Sequence, residues 1–137
     1  MNKTLYIIRH GQTDYNLKRI IQGSGIDSSL NNKGRDQALK FYQKYSTIDF
    51  ELVITSALQR THQTVAPFID NEIPWIKMPE INEINWGIHE GKEGSQSMIE
   101  HYSEITKAWS SGIYDVGIEE GETAAQLRDS TKVFIQT

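Results

Sequence analysis

An apolar run of four residues, Leu-Tyr-Ile-Ile at positions 5–8, stands directly before the polar sequence Arg-His-Gly-Gln-Thr at positions 9–13. Branched and aromatic side chains in a run of this length predict a buried β-strand. In open α/β sheets, ligands bind outside the carboxyl ends of the strands, which is where Arg9 and His10 fall. Taken alone, the polar sequence is better explained by a partly buried histidine at a strand end, so its meaning depends on the rest of the chain.

Strand and helix patterns alternate after this segment. Strands are predicted at residues 51–55 and 73–78, and helices at residues 35–45, 57–66, 98–109 and 122–136. Asn31 or Asn32 is a suitable cap for the first of these helices, and Ser56 for the second. Such alternation is typical of an α/β fold with a mostly parallel sheet between helical layers, a three-layer α/β/α arrangement.

Composition excludes several classes of protein. The chain has 137 residues, enough for a single domain spanning residues 1–137, and its net charge of -4 argues against a dedicated nucleic-acid binder. It contains no cysteine, which excludes disulfides, thiol chemistry and cysteine-ligated zinc. The N-terminal residues lead directly into a strand that is too short for a signal peptide or a membrane span, so we expect a cytoplasmic protein without a membrane partner.

A second polar segment, residues 55–64, again follows a predicted strand and begins a helix. The N-terminus of a helix favours an anion because its N–H groups are unpaired and its dipole is positive there. Arg60 lies in the first turn of this helix. A lone arginine on a helix is usually exposed and without function. If the two strands are neighbours, however, Arg9 and Arg60 face the same ligand, and this pair suits a phosphoryl group better than a carboxylate.

A third segment, residues 80–92, is a loop with three glutamates, a tryptophan and two glycines. A glutamate close to two arginines and a histidine can protonate a leaving group if its surroundings raise its pKa. On composition alone, a solvated acidic loop is the simpler interpretation.

Together and in this order, the three segments resemble the histidine phosphatase superfamily, which includes the cofactor-dependent phosphoglycerate mutases. The Arg-His-Gly-Gln-Thr sequence matches the first family signature in full. The second signature is matched by Ser56, Leu58, Arg60, Gln63 and Thr64, and the third by Glu83, Gly87, Glu90 and Gly91. The connecting segment is matched by Gln22, Gly23, Asp27, Leu30 and Gly34, and a later Gly-Glu-Thr turn and helix by Gly121, Glu122, Thr123 and Arg128.

The resemblance implies a phosphoglycerate mutase-like fold and a role for each matched residue. His10 is expected to be the nucleophile that forms a phosphohistidine, and Glu83 the proton donor that later activates water. Arg9 and Arg60 are expected to bind the phosphoryl oxygens. The phosphate pocket is expected to be completed by Asn16, Thr13, Gln22 and Gly23. The reaction that the resemblance implies uses no metal and no cofactor, and its partner is a small phosphorylated substrate.

One family feature has no match in the sequence. The family carries a second histidine, in a His-Gly pair that ends a later strand beside the first one. None of His62, His89 and His101 matches that position, and His89 stands where many members have tryptophan, which indicates a changed pocket wall. The chain ends at Thr137, inside the predicted helix before that strand. We therefore expect a truncated domain that lacks the C-terminal part of the sheet, is weakly active or inactive alone, and can form a homodimer through its open edge.

Within the family, the cation content separates two activities. A phosphoglycerate mutase also holds a substrate carboxylate, usually with arginines that follow the third signature. No arginine occurs between Arg60 and Arg128. This favours a phosphomonoesterase in which the variable helical segment, residues 92–121, shapes the leaving-group pocket, although its aromatic residues are also explained by helix packing. The alternatives are a mutase, a non-catalytic phosphoryl-binding domain, and a metal hydrolase using His10 and Asp14, for which no ligand spacing is present.

Overall fold

The computed structural model describes residues 3–137, which form five α-helices and two β-strands. In chain order these are α1 (Asp14–Leu17), α2 (Asn32–Tyr45), β1 (Val53–Thr55), α3 (Gln59–Asp70), β2 (Trp75–Lys77), α4 (Gln96–Ser110) and α5 (Ala124–Gln136). Short 3-10 turns at Pro79–Ile81 and Gly87–His89 lie between β2 and α4. No helix in residues 3–137 is both long and apolar enough to cross a membrane.

The two strands form a parallel sheet, as the alternating pattern predicts. Val53 is paired with Trp75, and Thr55 with Lys77. Helix α3 is the crossover between them, so β1, α3 and β2 make one β-α-β unit. Helix α2 packs against α3, and α5 contacts the Pro79–Ile81 turn. The α/β class predicted from the sequence is therefore confirmed.

An aromatic cluster holds α2 and α3 together. Phe68 on α3 is only 3% exposed, and its ring centroid lies 5.5 Å from that of Phe41 and 5.0 Å from that of Tyr42 on α2. Phe50, just before β1, packs edge-on against Phe68 at 5.5 Å and against Tyr6 at 5.3 Å. Aromatic pairs at these distances add stabilisation beyond the area that they bury.

Two boundaries of α3 differ from those predicted. The residue that caps the helix is Leu58 rather than Ser56, whose Oγ instead accepts a hydrogen bond from the Leu58 N–H at 3.2 Å. The helix also continues through Pro67 to Asp70, although a proline removes one helical hydrogen bond. Burial of Phe68, one residue after the proline, favours this continuation because the helical backbone places its side chain in the aromatic cluster.

The predicted first strand, residues 5–8, is wrong in this structure. The segment is in neither strand, and its backbone forms no hydrogen bond within residues 3–137. Leu5 is 68% exposed and Ile7 is 85% exposed, although a buried strand was expected. The physical reason is pairing: an apolar run becomes a strand only when a neighbouring strand satisfies its N–H and C=O groups.

The segment lies beside an open apolar groove with a volume of about 440 Å³. Residues 4–8 and 52–56 both line this groove, together with Phe41, Val65 and Phe68. An ion pair between Lys3 and Glu51 joins the two segments at one end. Strand β1 is paired with β2 at one edge only. The groove therefore separates the unpaired segment from the unpaired edge of β1.

Candidate active site

His10 lies at the end of the unpaired segment, and its side chain is only 7% exposed. Its Nδ1 is 2.7 Å from the carbonyl oxygen of Gly11, a contact in which Nδ1–H donates. This hydrogen bond assigns the proton of the neutral ring to Nδ1 and leaves the lone pair on Nε2. Nε2 is buried and has no hydrogen-bond partner within residues 3–137. The ring thus presents a free nitrogen of the kind that a nucleophile requires.

The surroundings of His10 favour its neutral form. Burial lowers the pKa of the imidazole below its ordinary value of 6.5, since the charged ring is poorly solvated there. The hydrogen bond to Gly11 raises the pKa of the ring, but burial lowers it by more. The positive charges of Arg60 and Arg9 lower the pKa further, and the carboxylate of Glu83 raises it. The imidazole is therefore neutral, with its Nε2 lone pair available, at neutral pH.

Arg60 is the second residue of α3 and is fully buried. Its Nη1 donates to the carbonyl oxygen of Ile26 at 2.7 Å, and its Nη2 donates to that of Gly23 at 3.2 Å. Nη2 also donates to Oε2 of Glu83 at 3.2 Å. Its Nε has no partner among the described residues. A buried guanidinium requires such partners because burying an unpaired charge is costly.

Glu83 brings the first and second signatures together with the third. Its Oε2 lies 3.2 Å from Nη2 of Arg60 and 3.9 Å from Nε2 of His10. The side chain is 39% exposed, so solvent reaches the carboxylate while the other two groups are buried. Three residues that are far apart in the chain thus form one cluster, with a carboxylate at its open side.

Arg9 differs from Arg60 in its surroundings. Its side chain is exposed and forms no hydrogen bond or ion pair within residues 3–137. Its charge nevertheless acts on His10 and lowers the pKa of the ring. A site in which Arg9 and Arg60 share one anion stays a prediction.

The residues expected to complete the phosphate pocket form a hydrogen-bonded network. Thr13 is fully buried and caps α1, and its hydroxyl donates to Oδ1 of Asn16 at 3.0 Å. Nε2 of Gln22 donates to the Thr13 hydroxyl at 2.9 Å. Gly23 follows directly and supplies the carbonyl for Arg60. A side chain at Gly23 would collide with the backbone of Ile84, so a glycine is required for this close approach. Contact between these residues and a phosphate stays a prediction.

Thr64 is a site residue whose role sequence reasoning missed. Its Oγ1 accepts a hydrogen bond from the Gly11 N–H at 2.9 Å and donates to the Arg60 carbonyl oxygen at 2.7 Å. The hydroxyl thus joins the loop after His10 to the first turn of α3. Thr64 was recognised as part of the second signature, and its position four residues after Arg60 was the available signal.

The remaining histidines lie outside this cluster. The ring of His62 packs on that of Trp75 at 4.7 Å, and the buried ring of His89 meets that of His101 at 5.3 Å. Within residues 3–137, no three histidine, cysteine, aspartate or glutamate side chains are grouped closely enough to hold a metal. The metal-hydrolase alternative therefore has no ligand set in the described part of the chain.

The predicted variable segment, residues 92–121, contains α4, which packs on the third signature. The ring of Trp86 lies 5.3 Å from Tyr102 and 6.2 Å from Trp109 of this helix. A second cavity, of about 270 Å³, is lined by Trp86, His89, Met98 and Tyr102 among others. These aromatic residues thus pack against one another as well as lining a cavity.

The chain is similar to known proteins in sequence and in structure. The chain is 30% identical to fructose-2,6-bisphosphatase TIGAR B of Danio rerio, over 97% of the chain and 52% of that protein. It is 31% identical to the 2,3-bisphosphoglycerate-dependent phosphoglycerate mutase of Bartonella tribocorum, over 95% of the chain and 64% of that protein. The alpha-ribazole phosphatase of Shigella flexneri is similar in structure, with a TM-score of 0.76 and 25% identity over 94% of the chain and 63% of that protein.

The chain thus spans between half and two thirds of the length of these relatives. Residues 5–137 match the family model described as histidine phosphatase superfamily, branch 1. That range contains His10, Arg60 and Glu83, the three side chains that the structure brings together. The chain therefore belongs to branch 1 of the histidine phosphatase superfamily.

Proposed function

We propose that this chain forms the nucleophilic part of a phosphomonoesterase that acts on a small phosphorylated metabolite through a phosphohistidine intermediate. The observation that carries the proposal is the buried, unpartnered Nε2 of His10, which lies 3.9 Å from Oε2 of Glu83. A nucleophile, a proton donor and a buried guanidinium in one cluster are the groups that phosphoryl transfer requires.

In the first step, the Nε2 lone pair attacks phosphorus and forms a P–N bond. The P–O bond to the leaving group breaks, and the leaving oxygen takes the proton of the Glu83 carboxylic acid. A phosphate oxygen replaces Glu83 as the anionic partner of Arg60. The negative charge of the bound ester favours the protonated form of a carboxyl beside it, so the acid is available when substrate is present.

In the second step, the Glu83 carboxylate takes a proton from water while the water oxygen attacks phosphorus. The P–N bond breaks, inorganic phosphate leaves, and the lone pair returns to Nε2 of His10. Arg60 and Arg9 stabilise the charge on the equatorial oxygens in both steps. Asn16 donates to the same oxygens, and Thr13, Gln22 and Gly23 line the pocket.

The apolar groove is where we expect the second family histidine to enter the site. We infer that a further strand pairs with residues 5–8 on one side and with β1 on the other. Such a strand would satisfy the free backbone groups and cover Leu5 and Ile7, which are 68% and 85% exposed. His10 lines the groove, so the end of that strand would bring its histidine to the phosphoryl group from the side opposite Arg60.

A phosphatase is favoured over a mutase because the chain offers few cations for a substrate carboxylate. Lys92 and Lys107 are the only lysines or arginines between residues 80 and 127, and both are exposed. The cavity beside α4 is lined mainly by apolar and aromatic side chains, which suits an uncharged leaving group better than a carboxylate.

A non-catalytic phosphoryl-binding domain is the second candidate. The specific observation in its favour is that Arg60 is buried and the network around Thr13 is formed, while Nε2 of His10 has no hydrogen-bond partner, histidine included, within residues 3–137. Such a domain would bind phosphate without forming a covalent intermediate.

The test is to incubate the protein with an aryl phosphate in the presence of a chelator, quench in base and search for phosphohistidine. We expect label on His10, none in His10→Ala, and a loss of turnover of at least about 10³-fold in that variant. His62→Gln is the matched control, since His62 packs on Trp75 away from the cluster. Phosphate binding without any covalent intermediate would favour the non-catalytic domain. Normal hydrolysis by His10→Ala would contradict the mechanism.

A further inference from the structure

The Gly-Glu-Thr turn at residues 121–123 has no role in the mechanism above, yet it contacts the third signature closely. Oε2 of Glu122 accepts a hydrogen bond from the Asn85 N–H at 2.7 Å. The backbone N–H of Glu122 donates to the Asn85 carbonyl oxygen at 2.8 Å. One half-buried residue thus pairs with both backbone groups of Asn85.

Neighbouring contacts extend this junction. The Ile88 N–H donates to the Glu119 carbonyl oxygen at 3.0 Å, and the Gly87 N–H donates to Oδ1 of Asn85 at 2.7 Å. Gly87 has a φ of 56°, and a side chain there would collide with the Glu119 carbonyl, so only glycine allows the two segments to approach this closely. The turn and the third signature are therefore held together along several residues.

Asn85 is only two residues from Glu83, and the chain between them is fixed as well. Ile84 is 7% exposed, and its carbonyl oxygen accepts a hydrogen bond from the Ser24 N–H at 3.3 Å. On the other side of Glu83, Oδ1 of Asn82 accepts from the Ala57 N–H at 2.9 Å. The backbone of Glu83 is thus anchored on one side to the start of α3 and on the other to Glu122.

We propose that Glu122 is a positioning residue that fixes the backbone at Asn85 and thereby holds the Glu83 carboxylate beside His10 and Arg60. Glu83 needs such support because its side chain is long and 39% exposed, so its ion pair with Arg60 alone leaves it free to rotate into solvent. The positioning rests on geometry, and only its effect on catalysis rests on the proposed function.

The pKa of His10, followed by NMR titration of the 137-residue chain, reports where the Glu83 carboxylate lies. That carboxylate raises the pKa of the ring against the lowering effects of burial, Arg60 and Arg9. Glu83→Gln removes the negative charge, so it measures the full decrease in the pKa of His10 that loss of this carboxylate causes. Glu122→Met keeps the length of the side chain but cannot accept the hydrogen bond from the Asn85 N–H. We therefore expect the pKa of His10 in this variant to fall by most of the decrease seen in Glu83→Gln. Glu122→Gln retains an acceptor oxygen, and we expect the wild-type pKa.

Glu119→Gln is the matched control, since the Glu119 side chain is exposed and forms no hydrogen bond within residues 3–137. If Glu122→Met does not fold, Glu122→Asp replaces it, because the shorter carboxylate keeps the charge and cannot reach Asn85. A wild-type pKa of His10 in Glu122→Met or Glu122→Asp, alongside a decrease in Glu83→Gln, would overturn the proposal. An equal decrease in the pKa of His10 in Glu122→Gln and Glu122→Met would also overturn the proposal.

A kinetic measurement adds to this in any form of the protein that hydrolyses an aryl phosphate. We expect Glu122→Met to lower kcat by roughly tenfold with little change in KM, less than the loss of the acid itself, and Glu122→Gln to restore it. An absence of phosphohistidine in the wild type would contradict the proposed function and leave the His10 titration as the deciding result on Glu122.

Discussion

The cluster of His10, Arg60 and Glu83 lies next to the apolar groove, but the two regions differ in how far their polar groups find partners within the described chain. His10, Arg60 and Glu83 have their geometry from partners inside the described chain, including the carbonyl oxygens of Gly23 and Ile26. Residues 5–8, immediately before His10, have no backbone partner there and expose large apolar side chains. The polar groups of the site find their partners in loops and helix ends of this chain, whereas a strand forms only when another strand is beside it.

The largest expected effect is a rise in hydrolysis rate when an added strand fills the groove beside residues 5–8. The change is a fusion to Thr137 of the part of the Shigella flexneri alpha-ribazole phosphatase that lies beyond the matched region. We expect this part to supply a strand beside residues 5–8 and the His-Gly pair that the family resemblance implies. We expect hydrolysis of an aryl phosphate to rise by about 10²-fold or more, because a further donor stabilises the transition state. The amides of residues 5–8 should also become protected from hydrogen exchange.

The control for this fusion is the same protein with the added histidine changed to alanine, which should keep the amide protection and lose the gain in rate. A folded fusion in which residues 5–8 exchange as fast as before would show that the groove does not receive this strand.

Two leucines test the difference in burial between the regions. Leu58, which precedes α3, is 5% exposed, and Leu5 is 68% exposed. Leu58→Ala should lower the free energy of unfolding by about 2–5 kcal/mol, as for other buried leucines. Leu5→Ala should change it by less than about 0.5 kcal/mol. Urea denaturation measures both, and equal losses would mean that residues 5–8 are buried in solution.

Two arginines test the difference in polar contacts. Arg60→Ala removes three hydrogen bonds, so we expect the free energy of unfolding to fall by about 2–4 kcal/mol. The carbonyl oxygen of Ile26 loses its donor, and that of Gly23 retains only the Ile26 N–H at 3.3 Å. Arg9→Ala should leave the free energy of unfolding within about 0.5 kcal/mol of the wild type. If Arg9 shares the anion site, its variant should still bind phosphate more weakly. Thermal unfolding with and without phosphate separates the two effects.

The smallest expected effect is a dependence of stability on pH. Burial lowers the pKa of His10 and of His89, so the unfolded chain binds more protons than the folded one below about pH 6.5. The stabilising effect of keeping these rings neutral is present above pH 6.5 and is lost as the pH falls towards the lowered values. Each ring adds a slope of at most about 1.4 kcal/mol per pH unit.

His10→Gln combined with His89→Gln should flatten that slope in urea denaturation measured between about pH 5 and 7. His101 and Lys92 also lower the pKa of His89, so His101→Gln should weaken its share of the slope. An unchanged slope in the double variant would mean that other groups dominate the acid sensitivity.

Much of the local structure was predictable from the sequence. Asn31 caps α2, and Arg60 lies in the first turn of α3, as expected. The end of α3 was not predicted, because Pro67 argues locally for a boundary while the burial of Phe68 between helices outweighs it. The tendency of proline to end a helix is a property of one residue, and it does not take account of the contact that Phe68 makes with a distant aromatic cluster.

The same limit applies to the site. The three signatures identified His10, Arg60 and Glu83, since residue type and spacing carry that information. They did not identify the role of Thr64, which joins the Gly11 N–H to the Arg60 carbonyl, or that of Glu122, which pairs with Asn85. Both contacts join segments that are more than 30 residues apart, and local patterns contain no record of such pairs.

The sequence by itself determined the family, the β-α-β alternation of β1, α3 and β2, and the chemical groups on which the proposed phosphoryl transfer depends. Only the tertiary structure decided that residues 5–8 remain unpaired and that Arg60 is fully buried with Glu83 as its partner. The reason is that helix caps and signatures depend on neighbours along the chain, whereas strand pairing and the burial of a charge depend on which distant segments are brought together.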